Sequence, residues 1–249
     1  MNQVVRLQLI AFAFFCLYFV FRFIGNNNVP LTIWQQVYWG NVVKDSFFLV
    51  FSLIFVYYLF NLLRRHQKTG PTIIAGSSLK IWLYIVIGFW WLAIVLHIIF
   101  DSAKIISPFN QFSFYQFSDL LDETISHIFM YLPFVFASII GLFLEVERPY
   151  PKALSRKETI IIYILSLFSG LMWGVNLTEG RLSLITSFPA MLIYLSLTGY
   201  LFKKFKLNFK HRPLGLTYTI FYIFGAAAFG AWGLFFGSFP EFFNYLKQY

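Results

Sequence analysis

The chain is poor in charge, cysteine and recognisable catalytic signatures. Charged residues make up 12% of its 249 positions, against about 25% in an ordinary soluble domain. The few charges clump between long apolar runs, and 59% of the residues are hydrophobic. That distribution excludes a soluble globular domain and predicts a polytopic helical membrane protein. The single cysteine, Cys16, lies inside the first apolar run. It has no intramolecular disulfide partner and cannot contribute to a thiolate cluster. No GxSxG elbow, P-loop, dinucleotide fingerprint or HExxH pair is present, so the common hydrolase, nucleotide and zincin signatures are absent. Internal repeats and low-complexity segments are also lacking. Nor does any period-two alternation support a transmembrane barrel.

What is there is a succession of seven apolar segments, at approximately 5–24, 46–63, 80–100, 124–144, 158–176, 182–202 and 214–237. At about 1.5 Å per residue each reaches across about 30 Å of hydrocarbon, and lipid leaves the backbone no partner outside a helix. The expected fold is all-α, a single transmembrane domain over 1–249. The first segment follows Arg6 as a signal peptide would, but no small-residue cleavage site comes after it, so it reads as a membrane helix. Residues 26–45, with Trp34, Tyr38 and Trp39, read as a loop and an interfacial helix.

The basic residues orient the bundle. With the N-terminus inside, the inner loops hold Arg64, Arg65, Lys68 and Lys80, then Arg148, Lys152, Arg156 and Lys157, then Lys203, Lys204, Lys206, Lys210 and Arg212. The outer side holds only Arg22, Lys44, Lys104, Arg181 and Lys247. The positive-inside rule therefore predicts N-in, C-out, in a plasma or inner membrane. The net charge of +9 is a topology signal and not a nucleic-acid footprint, because no basic-aromatic module accompanies it. The acids are skewed to the outer side: Asp45, Asp101, Asp119, Asp122, Glu123, Glu179 and Glu241, against Glu145, Glu147 and Glu158 inside. The positive-inside rule does not demand that skew. An outward-facing site is one cause.

Two pairs carry the candidate chemistry. His97 and Asp101 stand four residues apart at the outer end of the third segment, and Glu123 and His127 four apart at the outer end of the fourth. In each, the histidine lies one turn deeper than its carboxylate, so with antiparallel helices the two imidazoles share one depth. Asp119, Asp122, Ser126 and Met130 extend the same face of the fourth segment, with Ser118 as its expected N-cap. Trp173, Asn176 and Glu179 bring the end of the fifth segment to that level. Ionisable groups within membrane helices mark functional sites by default. Mixed imidazole and carboxylate suits Zn, Fe or Cu. The metal-ligand candidates are His97, Asp101, Glu123 and His127, with Asp122 or Glu179 as ligand or general base. The spacing is only loosely like the Glu-x-x-His pairs of di-iron bundles.

The expected function is a metal-dependent membrane enzyme, a hydrolase or oxygenase, acting on a lipid or small apolar substrate. Two other readings use the same residues. One is a non-enzymatic subunit of a complex, structural or for assembly, or one binding haem b through His97 and His127. The other is a proton or solute path, which the almost wholly apolar stretches below His97 and Met130 argue against. Glu145 and Glu147 beside Arg148 read as surface charge, and His66 and His211 as solvated. The run Gly225, Ala226, Ala227, Ala228, Gly230, Ala231, Gly233, Gly237 gives the last segment a small-residue face. That face admits close approach of a helix of the same bundle or of another protomer, so the expected partners are membrane lipids and a homo- or hetero-oligomeric neighbour. Seven segments in this orientation also occur in retinal proteins and in the ceramidase and adiponectin-receptor group. The lysine of the former and the histidine pair of the latter are both missing from 214–237.

Overall fold

The computed structural model describes residues 2–25, 76–106, 116–118, 120–147, 149–179 and 183–239. The second apolar segment, the interfacial stretch 26–45 and most of the loop 66–79 lie outside them. Among the described residues helices are the only regular structure, and no strand is present. Its elements are α1 (Gln3–Gly25), α2 (Gly76–Ile106), a π-helical turn (Leu120–Ser126) continuing into α3 (His127–Glu147), α4 (Arg156–Asn176), α5 (Ser187–Lys204) and α6 (Pro213–Phe236). Short 3-10 turns, Leu177–Glu179 and Phe209–His211, follow α4 and precede α6. Three stretches, Thr124–Glu147, Arg156–Asn176 and Pro213–Phe236, are long and apolar enough to cross a membrane. By length and apolar composition they fit a membrane protein.

The helix ends follow from local chemistry. Ser155 and Glu158 form a capping box at the start of α4: Ser155 Oγ accepts from the Glu158 amide at 3.3 Å, and Glu158 Oε2 accepts from the Ser155 amide at 3.0 Å. The other oxygen of Glu158 accepts from the Asn2 amide at 2.6 Å, which ties the beginning of α1 to the beginning of α4. Pro213 opens α6, where its missing N–H costs nothing, and Gly237 ends it at φ 63°. The sixth apolar segment becomes helical at Ser187 and not at 182. Residues 183–186 form turns, in which the Phe188 amide donates to the Ser183 carbonyl at 2.9 Å.

Helix α6 is the centre of the bundle. It packs closely along α4 and also against α5, α3 and α1. A Cβ added at Gly170 would collide with the Phe221 carbonyl, and one at Gly174 with the Gly225 carbonyl. Backbone therefore meets backbone, as small-residue interfaces in lipid allow, and the small face of the last segment is used within the bundle. The short turn after α4 does not make α4 and α5 closely packed neighbours. Helix α5 instead contacts α3 and α6, while α4 spends its glycine face on α6. Tyr131, Leu142, Tyr194, Tyr222 and Phe229 fill the core.

Glu145 is not surface charge. It is fully buried, and its two oxygens accept from the Leu214 and Gly215 amides at 2.8 and 2.7 Å. These are orphan donors of the first turn of α6, and a carboxylate there is favoured by both hydrogen bonding and the helix dipole. Each hydrogen bond of this kind contributes about 0.5–1.5 kcal/mol. His211 is likewise half-buried and not solvated: its Nδ1 lies 2.7 Å from the Tyr150 carbonyl. The Tyr150 amide donates back to the His211 carbonyl at 2.8 Å, and the Leu154 amide to the Lys210 carbonyl at 2.7 Å. The loops after α3 and before α6 are thus laced together. Burial lowers the proton affinity of the Arg212 guanidinium in this layer, while the Glu145 carboxylate acts the opposite way.

Candidate functional site

At the other end of α3 the helix is wound differently. The seven residues Leu120–Ser126 form a π turn, and His127 is the first α-helical residue after it. Such turns are rare and cluster at functional sites. The fourth apolar segment therefore does not begin as α-helix at Thr124, and the four-residue stacking of Glu123 on His127 assumed an α geometry that the backbone lacks there. The side chains of Asp101, Asp122, Glu123 and Glu179, and all of Asp119, lie outside those described. Ser118 does not act as an N-cap: it is fully buried and its Oγ makes no hydrogen bond.

The two histidines meet. Their ring centroids are 5.1 Å apart with an interplanar angle of 70°, one ring edge facing the other. His127 is buried and His97 half-buried. The helices bring them together by packing antiparallel along their length. Phe89 stacks on Phe129 at 5.7 Å on the deeper side of the pair, and Phe100 meets Phe117 edge-on at 6.4 Å on the shallower side. Ser126, fully buried, adjoins His127 in sequence.

A second layer connects this pair to α4. Tyr131, one turn below His127 on α3, has its ring 5.5 Å from the His127 ring and 5.0 Å from that of Trp173. The Tyr131 hydroxyl donates to the Asn176 carbonyl at 3.0 Å and accepts from the Asn176 side-chain amide at 3.0 Å. Trp173 and Asn176 thus meet the histidine pair's neighbour Tyr131. Tyr131 escaped notice in the sequence, although it sits four residues after His127; tyrosine is so abundant in this chain, with 15 copies, that one more carried no signal. The 3-10 turn Leu177–Glu179 closes the α4 end, with Thr178 Oγ1 donating to the Val175 carbonyl at 2.7 Å. Ser183 and Ser187 at the start of α5 are both buried.

The separation of the rings bears on what they can hold. Two imidazoles sharing one tetrahedral ion at about 2.0–2.1 Å place their ring centres about 5 Å apart. Two imidazoles on opposite sides of a haem iron need about 6 Å and a flat macrocycle between them. Among the described residues no group of three or more His, Cys, Asp or Glu is gathered closely enough to hold a metal ion. Of the candidate ligands, His97 and His127 are the two whose described side chains come together. No protein-family model, curated protein or solved structure matches this chain.

Proposed function

We propose that this membrane protein is a metal-dependent enzyme whose centre lies at the outer end of α2 and α3 and acts on a lipid or small apolar substrate. The observation that carries the reading is the meeting of His97 and His127, from separate helices, at a ring separation suited to one shared ion. Asp101, one turn further along α2, and Glu123, in the π turn ahead of His127, are the carboxylates nearest in sequence to complete the ligand set. Asp122 and Glu179 are the candidates for a general base. The skew of basic residues puts this end on the non-cytoplasmic side.

A bound Zn, Fe or Cu would supply Lewis-acid or redox chemistry there, giving a hydrolase in the first case and an oxygenase in the second. The protein's own contribution is positional. The aromatic contacts of Phe89 with Phe129 and Phe100 with Phe117 hold the two helices in register. Tyr131, clasped by Asn176, braces His127 from below. Lipid around the bundle gives an apolar substrate direct access.

Metal analysis with an absorption spectrum, on detergent-purified protein never exposed to chelator, tests this. About one equivalent of transition metal is expected in the wild type, and its loss in both His97→Ala and His127→Ala. Full metal content in both variants would sink the proposal, and a Soret band in the wild type would replace it with haem ligation.

A further inference from the structure

At the end of the bundle far from the histidines, two connections bring basic side chains into one layer. Lys152, Arg156 and Lys157 come from the start of α4 and the turn before it, and all three are exposed. Lys203, Lys204, Lys206 and Lys210 come from the end of α5 and the connection to α6, and these are exposed too. The two connections form one surface, because the Tyr150 and Leu154 amides donate to the His211 and Lys210 carbonyls at 2.8 and 2.7 Å. The acids at this end are largely committed to helix starts. Both oxygens of Glu145 cap α6, and those of Glu158 accept from the Ser155 and Asn2 amides. Glu147, half-buried, is the third acid. These exposed cations therefore share their layer with one carboxylate outside the caps.

The backbone singles out Lys206. Helix α5 ends in a Schellman motif, in which the Leu207 amide donates to the Phe202 carbonyl at 3.0 Å and the Lys206 amide to the Lys203 carbonyl at 3.4 Å. That motif needs a left-handed residue, and Lys206 supplies it at φ 49°, the one non-glycine with positive φ among the described residues. Glycine is the usual occupant, since a Cβ is disfavoured in that conformation. A lysine held there against local strain points to a use for its charge. Lys204 adds a second sign: its Nζ lies 5.3 Å from the ring centre of Tyr200 and 5.5 Å from that of Phe205, and both rings are exposed. A cation over exposed aromatics at the end of an apolar helix is the arrangement suited to the headgroup zone.

We infer that this layer binds the phosphate groups of anionic phospholipids in the leaflet at this end of the bundle, with Lys206 as a direct contact. Helices α4 and α6 are long and apolar enough to cross a membrane, which sets their shared end at headgroup depth. Lysine and arginine side chains at that depth attract an anionic membrane surface, and the attraction fades within about a Debye length. A soluble acidic partner would use the same charges, but it would have no need of the exposed Tyr200 and Phe205 rings beneath Lys204. The surface is independent of the histidine centre, which lies at the opposite end of α3.

The test places the full-length protein in phosphatidylcholine vesicles with a trace of spin-labelled phosphatidylglycerol or spin-labelled phosphatidylcholine. The motionally restricted fraction of each probe is read by EPR. About a fivefold preference for phosphatidylglycerol is expected at low salt, falling towards parity at about 1 M salt. Lys206→Gly removes the charge and relieves the backbone, so it should keep or raise the unfolding midpoint while reducing the preference about twofold. A lysine with a merely structural role would give the first result without the second. Joint replacement of Lys203, Lys204, Lys206 and Lys210 by Gln should bring the two lipids close to parity. The wild-type comparison requires no variant, so a failure of the joint variant to insert leaves the idea open to refutation. Equal association of the two lipids with the wild type would overturn it, and binding of poly-glutamate by that same protein would then assign the surface to an acidic protein partner. A preference undiminished in the inserted four-lysine variant would overturn it as well.

Discussion

The two ends of α3 solve opposite problems. At its C-terminal end Glu145 is fully buried, and each of its oxygens accepts from a backbone amide of α6. Its partners are backbone groups that any sequence would offer at that helix start, and the result is a cap. At its N-terminal end His127 meets a side chain of its own kind from another helix, across 5.1 Å, just after a π turn. A carboxylate matched to orphan amides is a complete structural device. Two imidazoles brought edge to face carry ring nitrogens, and with them proton and ligand chemistry, into the bundle. A polar group deep in a membrane protein is informative about function only after its partners are known.

Substitutions can break this contrast. The largest loss of stability is expected from Glu145→Ala, which leaves the Leu214 and Gly215 amides without acceptors: about 3 kcal/mol or more, read as a lowered unfolding midpoint in detergent. Glu145→Gln, which keeps one accepting oxygen, should recover about half of it. Gly170→Ala comes next. The new methyl would strike the Phe221 carbonyl and push α4 off α6, an overpacking cost of about 1–3 kcal/mol, visible in the same measurement. Tyr131→Phe removes both hydrogen bonds to Asn176 and should cost about 1–2 kcal/mol. Smallest in stability is His97→Ala, at about 1 kcal/mol or less for a half-buried side chain, yet it should remove the bound metal. If His97→Ala instead unfolds the protein as Glu145→Ala does, the two ends are alike and both are structural.

Much of the fold was legible in the sequence because lipid imposes long apolar helices. The segments read at 80–100, 158–176 and 214–237 fall within or almost on α2, α4 and α6. The second segment, 46–63, lies outside the described residues. Which helix touches which was harder to read. Glycines distant in sequence, Gly170 and Gly174 against Phe221 and Gly225, decide the pairing of α4 with α6. Glu145 was misread for a related cause. Its neighbours in sequence, Arg148 and Lys152, advertise a charged surface, whereas its actual partners are amides about seventy residues away that have no side-chain signature. The approach of His97 to His127 could be reasoned out, since helix direction and spacing alone fix depth. The π turn could not, because no residue type in Leu120–Ser126 specifies it.

The Glu158 carboxylate that receives the Asn2 amide lies 156 residues further along the chain. During synthesis at about 5–20 residues per second, α1 therefore waits about 8–30 seconds for the residue that fastens its start. The contact of Gln8 with Thr217, 209 residues apart, comes later still. Until then α1 lacks the two hydrogen bonds that join it to α4 and α6. A helix made early in the chain is thus fastened by residues made late.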